Sequence, residues 1–567
     1  MEWKLIATDL TGAERLAQEL SCPPLVSRLL LNRGLADAET AKSFLSPSLS
    51  RLTAPFDMKD MDRAVARILK AIRGREQVAV FGDYDADGLT ATAVLILFLR
   101  PFLPGILEYI PHRVREGYGL SPAGLEALRQ QQVQLIITVD CGVSNHEAIA
   151  RARELGMEVI VTDHHEVPRK GVPEAVAVVN PKQEGCPFPF KGLAGVGVAY
   201  NLVIALRQVL DREGLLPGGK PNLRTYLDLV TLGTLADMSP LREENRIYVA
   251  EGLKVLQETE RPAIRALKEV SGINLQDPVS ATDVSFRLAP RLNALGRLKE
   301  AREGVELLVT SETGTARALA ETMDQENRRR QELEQAMIEE IEIRIASDPD
   351  LYQRKCLVLS SAAWSRGLLG LVASRLVERW FRPVFLFGLE NGLAHGSGRS
   401  IGGFHLVQGL EKMEDRLIRF GGHAAAAGAT LKADLLPGFA RDLEELVERT
   451  VPPEAFIPTL NIEAEVDFPA LVNDVLPHLP RLAPFGEGNP EPVLVTRRVR
   501  VKSCRVVGKG HLRLKVQNKG ITLDGIGFNL GDLPVEEGDW VDLAYTPDFE
   551  KKGPNGYLQL RIKDLRI

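Results

Sequence analysis

The sequence contains few cysteines, and they form no recognisable motif. Five occur in 567 residues, and no two of them make a C-x-x-C pair or show the spacing of a disulfide framework. Zinc ribbons and dithiol redox sites are therefore excluded. The five thiols are Cys22, Cys141, Cys186, Cys356 and Cys504.

The sequence also lacks a long apolar run and a secretory leader. Near the N-terminus the longest apolar run, residues 93–99, is closed by Arg100, whereas a membrane span needs about 20 residues. The first residues, MEWK, do not begin a basic segment followed by an apolar core and a cleavage site. We therefore expect a cytoplasmic protein with no membrane association.

An overall excess of positive charge is absent as well. Lys and Arg number 70 against 76 Asp and Glu, so the formal charge of −6 offers no general attraction for a polyanion. Residues 493–520 are the exception, with nine cations and no acid. Nucleic-acid binding is therefore expected to be local to this basic segment. Its cations are Arg497, Arg498, Arg500, Lys502, Arg505, Lys509, Arg513, Lys515 and Lys519.

Length and composition indicate a globular protein of several domains. The hydrophobic share of 44% and the charged share of 26% are those of ordinary soluble proteins and exclude disordered or fibrous classes. At about 150 residues per domain, the chain holds roughly three or four. The pattern along it predicts an α/β multidomain protein. Its parts are an N-terminal helical cap (1–62), a parallel-sheet α/β domain (63–310), a long connecting helix (311–350), a second α/β domain (351–453) and a C-terminal β-barrel (454–567).

The first α/β domain is predicted from short β-branched runs separated by helical segments. Residues 78–81 (VAVF), 135–139 (LIITV) and 159–162 (VIVT) are typical of parallel strands buried on both faces. Ligands of such open sheets bind at the carboxyl ends of the strands. The chemistry is therefore expected there.

Acidic and histidine residues follow each of these strands. Three carboxylates within five residues come after the first strand, and such a group repels itself unless cations neutralise it. A further carboxylate follows the apolar run 229–236. The residues concerned are Asp83, Asp85, Asp87, Asp140, Asp163, His164, His165 and Asp237.

This residue set predicts a metal site that cleaves phosphoesters. Mg²⁺ and Mn²⁺ prefer carboxylate ligands, and an added imidazole favours Mn²⁺. Two such ions stabilise the attacking and leaving oxygens of an in-line displacement at phosphorus. We therefore predict Mn²⁺ or Mg²⁺ in a two-ion site.

Other interpretations of the same residues carry less weight. Taken singly, Asp87 or Asp140 would more often be a helix N-cap, and either histidine an ordinary loop or core residue. A calcium loop is excluded because its twelfth position, counted from Asp83, is Val94 rather than Glu. The convergence of four segments favours the metal site.

The four segments resemble, in their order, the DHH phosphoesterase superfamily, whose name describes the triplet Asp163-His164-His165. Over nearly the whole chain the resemblance narrows to the RecJ family of bacterial single-strand-specific exonucleases. The supporting segments are residues 82–88 (GDYDADG), 113–119 with EGYG, 180–182 (NPK), 233–237 (GTLAD), 289–297 (APRLNALGR), 421–424 (GGHA) and 484–492 (PFGEGNPEP).

The resemblance implies an activity and a set of site residues. The activity is hydrolysis of single-stranded DNA from the 5′ end to 5′-mononucleotides in DNA repair and recombination, and its direction rests on the resemblance alone. In many relatives a histidine stands at the position of Phe81, where phenylalanine cannot bind a metal, so affinity for the second ion is expected to differ. The implied metal ligands are Asp85, Asp87, Asp140, His164 and Asp237. The implied catalytic residues are His165, which faces the reacting phosphate, with Asp140 and the nearby Asp83.

The resemblance also identifies the later domains. The second α/β domain resembles a DHHA1 domain through residues 396–400 (GSGRS) and 421–423 (GGH), whose glycines let a phosphate backbone approach closely. The tail resembles an OB-fold β-barrel. Because the basic segment contains no Phe, Tyr or Trp, we expect electrostatic tracking to outweigh stacking there. The expected nucleic-acid contacts are Arg113, Arg297, Ser397, Arg399, His423, Arg498, Arg500 and Lys515.

Two other functions remain open at this point. One is a DHH phosphodiesterase acting on oligoribonucleotides or cyclic dinucleotides, and the other is a nonenzymatic single-strand-binding scaffold. A dinucleotide site at residues 195–197 (GVG) is disfavoured because the G-x-G-x-x-G spacing is absent. The resemblance further implies that single-stranded DNA, a single-strand-binding protein and a RecQ-type helicase are partners. We expect a monomer, and RNA stays open as a secondary substrate because an OB groove tolerates either sugar.

Overall fold

The N-terminal segment begins with a strand. In the computed structural model, which describes residues 1–113, 115–298, 301–550 and 557–567, the predicted helices of this segment are present and an unpredicted strand precedes them. Buried side chains of these helices, including Leu16 and Leu29, share one core with the C-terminal barrel. The elements are β1 (Glu2–Leu5), α1 (Leu10–Leu20), α2 (Pro24–Asn32) and α3 (Ala38–Leu45).

The first α/β domain contains a five-stranded sheet in which every pairing is parallel. The three predicted strands are its centre, and two three-residue strands flank them. In spatial order the sheet runs β3-β2-β4-β5-β6. The strands are β2 (Val78–Phe81), β3 (Leu107–Tyr109), β4 (Leu135–Val139), β5 (Glu158–Thr162) and β6 (Ala177–Val179).

Helices cover both faces of this sheet. The second of them, α5, is apolar almost throughout and is buried at all but one of its 14 positions, so it lies inside the core rather than at the surface. The helices are α4 (Met61–Gly74), α5 (Ala86–Leu99), α6 (Pro122–Gln130), α7 (His146–Glu154), α8 (Gly195–Arg212), α9 (Leu227–Ala236), α10 (Glu243–Glu258), α11 (Pro262–Val270), α12 (Ala281–Asp283), α13 (Ala289–Leu298) and α14 (Arg302–Val309).

A single helix, α15 (Thr313–Ser347), connects the two α/β domains as predicted. Its 35 residues extend about 50 Å at 1.5 Å per residue. It packs on α11, α13 and α14 of the first domain and then on α17 (Leu369–Trp380) of the second. The two domains therefore face each other along one rigid element.

The second α/β domain has a mixed sheet in the order β10-β11-β9-β8-β7, in which only β7 and β8 are parallel. Phe385 and Phe387 of the sheet pack on Phe439 beneath it. The elements are α16 (Pro349–Gln353), β7 (Leu357–Ser361), the helix α17, β8 (Val384–Glu390), β9 (Leu393–Arg399), α18 (Leu406–Glu411), β10 (Arg419–Gly422), β11 (Ala426–Lys432) and α19 (Leu436–Thr450).

The C-terminal domain is a closed β-barrel of the OB type, as predicted. Closure arises because β14 pairs with both β15 and β17 while β18 joins β16 to β17. The elements are β12 (Thr459–Ile462), β13 (Ala464–Glu465), α20 (Phe468–Ala470), α21 (Leu479–Leu482), β14 (Leu494–Val507), β15 (His511–Asn518), β16 (Ile521–Gly527), β17 (Trp540–Glu550) and β18 (Tyr557–Arg566).

The N-terminal segment is tied to both the barrel and the first α/β domain. Strand β1 pairs in parallel with β12, and Arg33 forms a buried ion pair with Glu463 at 2.7 Å. Arg246 of α10 is also buried, lies over the ring of Phe44 at 3.6 Å and donates to backbone carbonyls of the segment that precedes β14. Across the described residues, no helix is both long and apolar enough to cross a membrane.

Candidate active site

The carboxyl ends of the three central strands of the first domain lie side by side. The ladder aligns Phe81 with Thr138 and Val139 with Thr162. Each strand is followed within two residues by an aspartate, so Asp83, Asp140 and Asp163 emerge at one edge of the sheet. The predicted convergence of these residues is a property of the parallel register.

The turn after β2 is shaped by its own carboxylates. Asp85 caps α5 by accepting hydrogen bonds from the amides of Asp87 and Gly88, both at 3.1 Å. A Cβ at Gly88 would lie 2.6 Å from backbone atoms of Asp83, so this turn requires glycine. The helix cap is thus Asp85, while Asp87 is free to point elsewhere.

Asp87 is held by the first turn of a neighbouring helix. Its two carboxylate oxygens accept from the amides of Gly195 and Val196 at 2.7 and 2.8 Å, at the N-terminus of α8. A Cβ at Gly195 would also come within 2.5 Å of Asp140 Oδ1. The GVG segment therefore fixes acidic side chains and leaves no space for a dinucleotide.

His164 presents one nitrogen to the acids. Its Nδ1 lies 3.0 Å from the carbonyl oxygen of Leu193, which can only accept, so Nδ1 carries the proton. The lone pair of Nε2 then faces Asp140 Oδ1 at 3.1 Å and Asp87 Oδ2 at 4.0 Å. Such an outer hydrogen bond is typical of a metal-binding histidine.

Buried polar atoms without partners mark the centre of the site. Asp83 Oδ1, Asp140 Oδ1 and His164 Nε2 are all buried and make no hydrogen bond to the described residues. Buried groups in this condition are costly unless an ion or water satisfies them. The donor set of carboxylates and imidazole fits a hard divalent cation.

Potential ligand atoms form overlapping groups in which the atoms lie within 4.8 Å of one another. Asp83, Asp85 and Asp140 make one group, and Asp87, His164 and Asp237 make another; Asp140, His164 and His165 form a third that overlaps both. All five predicted metal ligands are brought together. Asp83, predicted to be nearby, lies in ligand position as well.

The electrostatics of the acids agree with a cation between them. Burial, followed by repulsion from neighbouring carboxylates, raises the pKa values of Asp83, Asp87 and Asp140 well above the usual range. Burial also raises the pKa of Asp237. A divalent ion would remove both penalties and restore the ionised ligands.

His165 has a different environment from His164. Its Nδ1 lies 2.8 Å from Asp163 Oδ1, and Tyr118 stands beside it with its hydroxyl donating to the Asp140 carbonyl oxygen at 3.1 Å. Burial opposes its charge, but the hydrogen bond and charge of Asp163 raise the pKa of His165 to about 9. These contacts with Asp163 favour the charged form of His165.

Asp163, which the sequence analysis counted among the converging acids without a separate role, positions His165. It is fully buried and also accepts from the amides of Val143, His164 and His165. Although burial opposes ionisation, the hydrogen bond and charge of His165 keep its pKa below the usual range. Its position two residues before a histidine was the available signal.

Phe81 lies outside the groups of possible ligands among the described residues. Its ring is fully buried and stacks on Tyr109 with 5.0 Å between centroids. It contributes to the core under α6 and offers the site no ligand atom.

Three arginines from separate segments form a second cluster, the arginine cluster, beside the possible metal ligands described above. Arg113 follows β3, Arg297 is at the end of α13 and Arg399 ends β9 of the second α/β domain. Each is half-buried, and none forms an ion pair with a described carboxylate. Arg297 donates to the Gly367 carbonyl oxygen at 3.1 Å, and Arg399 donates to Ser397 Oγ at 3.2 Å.

The charges of this arginine cluster act on one another. Burial, followed by the charges of Arg113 and Arg330, lowers the pKa of Arg297 to about 10. Burial and Arg113 also lower the pKa of Arg399. Several half-buried cations that form no ion pair with a described carboxylate constitute a ready site for an anion such as phosphate.

The remaining predicted contacts lie farther out. His423 is exposed in the turn between β10 and β11, where the Ala425 carbonyl oxygen accepts from the amide of Ser400, next to Arg399. Arg498, Arg500 and Lys515 are exposed on the β14–β15 hairpin of the barrel and have no ion-pair partner within the described part of the chain. The structure does not bring these three to the metal residues.

Exposed aromatic rings accompany the basic hairpin. Phe528 lies against His511 with 5.2 Å between ring centroids, and Trp540 pairs with Arg500 in the β14–β17 ladder. Their side chains are 53% and 57% exposed. Stacking surfaces are therefore available beside the basic segment, although none lies within it.

Three family descriptions match successive parts of the chain. Residues 77–234 match the DHH family, N-terminal domain; residues 353–449 match the DHHA1 domain; and residues 462–564 match the RecJ OB domain. The first region contains the possible metal ligands from Asp83 to His165, with Asp237 three residues beyond its end; the second contains Arg399 and the third the basic hairpin.

Curated relatives match the chain over its length. The single-stranded-DNA-specific exonuclease RecJ of Bacillus subtilis is 37% identical, with 100% of this chain and 71% of the relative covered. The Escherichia coli protein of the same name is 37% identical, with 96% of each chain covered.

A solved structure agrees with these relatives. The crystal structure of RecJ from Thermus thermophilus in complex with Mn²⁺ superimposes with a TM-score of 0.83 at 32% identity, covering 100% of this chain and 79% of that one. The same protein in complex with Mg²⁺ gives a TM-score of 0.75. With its DHH, DHHA1 and OB domains in the same order and its full length aligned to these relatives, the chain belongs to the RecJ family.

Proposed function

We propose that the protein is a metal-dependent exonuclease that degrades single-stranded DNA from the 5′ end to 5′-mononucleotides, in DNA repair and recombination. The observation that carries this proposal is the presence of buried ligand atoms for divalent cations near three arginines that have no ion-pair partner among the described residues. Its relatives are named single-stranded-DNA-specific exonucleases. Mn²⁺ or Mg²⁺ is the cofactor, in a site for two ions.

The ligand groups divide between two positions. Asp87, His164 and Asp237 would hold one ion, and Asp83, Asp85 and Asp140 would hold the other; His164 Nε2 of the first group lies 3.1 Å from Asp140 Oδ1 of the second. When bound, two such ions supply an activated water and neutralise charge on the phosphate.

His165 contributes a positive charge from the protein itself, in addition to the charge of the ions. Its Nδ1 proton is engaged by Asp163, which leaves the Nε2–H to donate to a phosphate oxygen. The imidazolium is thereby oriented before substrate arrives, and its positive charge stands where negative charge develops at phosphorus.

The arginine cluster suits a terminal phosphate, and the choice of the 5′ end follows from the family. A terminal phosphate carries close to two negative charges at neutral pH, whereas a bridging phosphodiester carries one. Arg113, Arg297 and Arg399, with Ser397, therefore favour the end of a strand over its interior. In this proposal a 5′-phosphate binds there and the first phosphodiester lies at the metal ligands, so that each cycle releases one mononucleotide.

The barrel supports a long strand as substrate. Exposed cations on β14 and β15, with Phe528 and Trp540 beside them, suit a single strand that is tracked by charge and by stacking. A cyclic dinucleotide or a short oligoribonucleotide would not need this second surface. The complete set of metal ligands likewise disfavours a nonenzymatic scaffold.

The test uses a single-stranded DNA oligonucleotide labelled at either end and carrying a 5′-phosphate or a 5′-hydroxyl. With Mn²⁺ we expect immediate release of the 5′-labelled mononucleotide, stepwise shortening of the 3′-labelled strand and preference for the 5′-phosphate. A blunt duplex of the same sequence is the control and should resist cleavage. Shortening from the 3′ end, or binding without cleavage under either metal, would refute the proposal.

The cellular setting follows from the substrate. An enzyme restricted to single strands depends on a reaction that unwinds duplex DNA, such as a RecQ-type helicase, and encounters strands covered by a single-strand-binding protein. All five cysteines are free thiols, which suits the reducing cytoplasm. We propose that it acts there as a monomer.

A further inference from the structure

Tyr84 lies at the junction of the metal residues and the arginine cluster. It stands between Asp83 and Asp85 in the turn after β2, and its half-buried ring lies under the guanidinium of Arg113, whose Cζ is 4.8 Å from the ring centroid. No described carboxylate pairs with Arg113. The Tyr84 ring therefore contacts this guanidinium, while the Asp83 carboxylate feels its charge without forming an ion pair with it.

The backbone of Tyr84 is fixed from the other side by α13. A Cβ at Gly296 would lie 2.4 Å from the Tyr84 carbonyl oxygen, so the helix packs directly on this residue. One turn earlier, Asn293 Oδ1 accepts from the amide of Ala86 at 2.7 Å. Arg297 directly follows the glycine, so the same helix carries a second arginine of the cluster.

An aromatic ring is a suitable support for an arginine that binds phosphate. A carboxylate would neutralise the charge and occupy N–H donors, which are the groups that a phosphate needs. A ring face attracts the cation through its quadrupole and leaves the donors at the guanidinium edge available. Tyr84 can thus hold Arg113 in place without competing with substrate.

We propose that Tyr84 is a positioning residue whose ring holds Arg113 over the metal turn, so that the phosphate-binding arginines and the metal ligands keep one fixed spacing. The inference rests on the proposed function, in which Arg113 binds the 5′-phosphate. It assigns to the tyrosine of the GDYDADG segment a role distinct from that of the aspartates around it.

The test compares KM with kcat on 5′-phosphorylated single-stranded DNA. Tyr84→Ala should raise KM about 5- to 30-fold, the range of a cation–π contact, and reduce the preference for 5′-phosphate over 5′-hydroxyl, with kcat changed less than about threefold. Tyr84→Phe keeps the ring, so its KM should equal that of the wild type. Tyr352→Ala removes a matched tyrosine that faces Arg382 at 5.7 Å in the second α/β domain, and it should leave KM unchanged.

A double-mutant cycle with Arg113→Ala tests whether the Tyr84 ring acts through Arg113 or independently of it. If the ring acts through Arg113, Tyr84→Ala should have no further effect on KM in the Arg113→Ala background. Additive effects would overturn the inference, as would a Tyr84→Phe variant that behaves like Tyr84→Ala.

A metal-binding measurement tests the remaining explanation, in which Tyr84→Ala acts through the metal turn and not through Arg113. Mn²⁺ titration by electron paramagnetic resonance should give the same affinity for Tyr84→Ala and wild type within about twofold; a larger loss would mean that Tyr84 serves the metal turn and not Arg113. If Arg113→Ala keeps the 5′-phosphate preference, the proposed role of Arg113 fails. If that preference is lost but Tyr84→Ala resembles wild type, only the positioning role fails.

Discussion

The acidic edge of the first α/β domain and the basic hairpin of the barrel both concentrate charge, but they do so in opposite ways. At the edge, Asp83, Asp87 and Asp140 are no more than 4% exposed and their directions are set by helix termini and glycines. On the hairpin, Arg498, Arg500 and Lys515 project into solvent. Burial fixes the direction of a charged side chain and raises the free-energy cost of its charge. An exposed charge has a low free-energy cost, but its interactions are weakened by salt. The comparison assigns chemistry to the first region and strand affinity to the second.

The strongest test of this division is Asp140→Ala. It removes an oxygen that both groups of ligand atoms approach, so we expect hydrolysis to fall by at least about 1000-fold. Binding of single-stranded DNA, measured by fluorescence anisotropy, should change less than about threefold because cations elsewhere dominate it. Mn²⁺ should raise the Tm of the wild type and not of the variant. Equal loss of hydrolysis and binding would contradict the division.

A smaller effect is expected within the acidic edge from Asp163→Asn. The amide keeps the shape but no longer stabilises the His165 imidazolium, so kcat should fall by about 10- to 100-fold, as for other residues that support a catalytic or metal-binding histidine. Metal affinity should remain near the wild-type value, since Asp163 lies outside the groups of possible ligands among the described residues. A wild-type kcat would show that His165 needs no carboxylate.

The smallest effect per residue is expected on the hairpin. Replacing Arg498, Arg500 and Lys515 together by alanine should weaken strand binding and reduce the slope of log K against log salt by about three, one for each cation. The single-turnover rate, measured with enzyme in saturating excess over the strand, should be unchanged. Deleting the whole barrel is a poorer test, because it would also remove the buried partners of Arg33 and Arg246. A lower single-turnover rate in the triple variant would show that the hairpin also contributes to the chemical step, and it would contradict the division between the two regions.

The convergence of the acidic residues and His164 at one edge of the sheet was predictable because each residue depends on local signals. A β-branched run ends and an acid follows it, and the parallel register of the sheet then brings these acids together. The long helix α15 and the barrel were equally predictable from their sequence patterns. The short strands β3 and β6 were missed because three residues carry little periodic signal. Strand β1 was missed because its partner, Thr459–Ile462, is hundreds of residues away in the sequence.

Grouping of the arginines could not be predicted from residues alone. Arg113 and Arg297 belong to one domain and Arg399 to another, so their proximity depends on how α15 sets the second domain against the first. The support of Arg113 by Tyr84 is equally invisible, because a tyrosine between two aspartates gives no hint of what its ring faces. Phe528 and Trp540 come to the basic hairpin through barrel closure, which a scan of the basic segment does not include.

The shared core of the N-terminal helices and the barrel has a consequence for synthesis. Leu16 and Leu29 leave the ribosome first, yet the strands that bury them, such as β14, are made more than 400 residues later. At about 5 to 20 residues per second, this delay lasts roughly 20 to 80 s. Throughout that interval an apolar helical segment waits beside a first α/β domain that can already fold. The nascent chain therefore has a long period of exposure to aggregation and to chaperones, which ends only when its last hundred residues arrive.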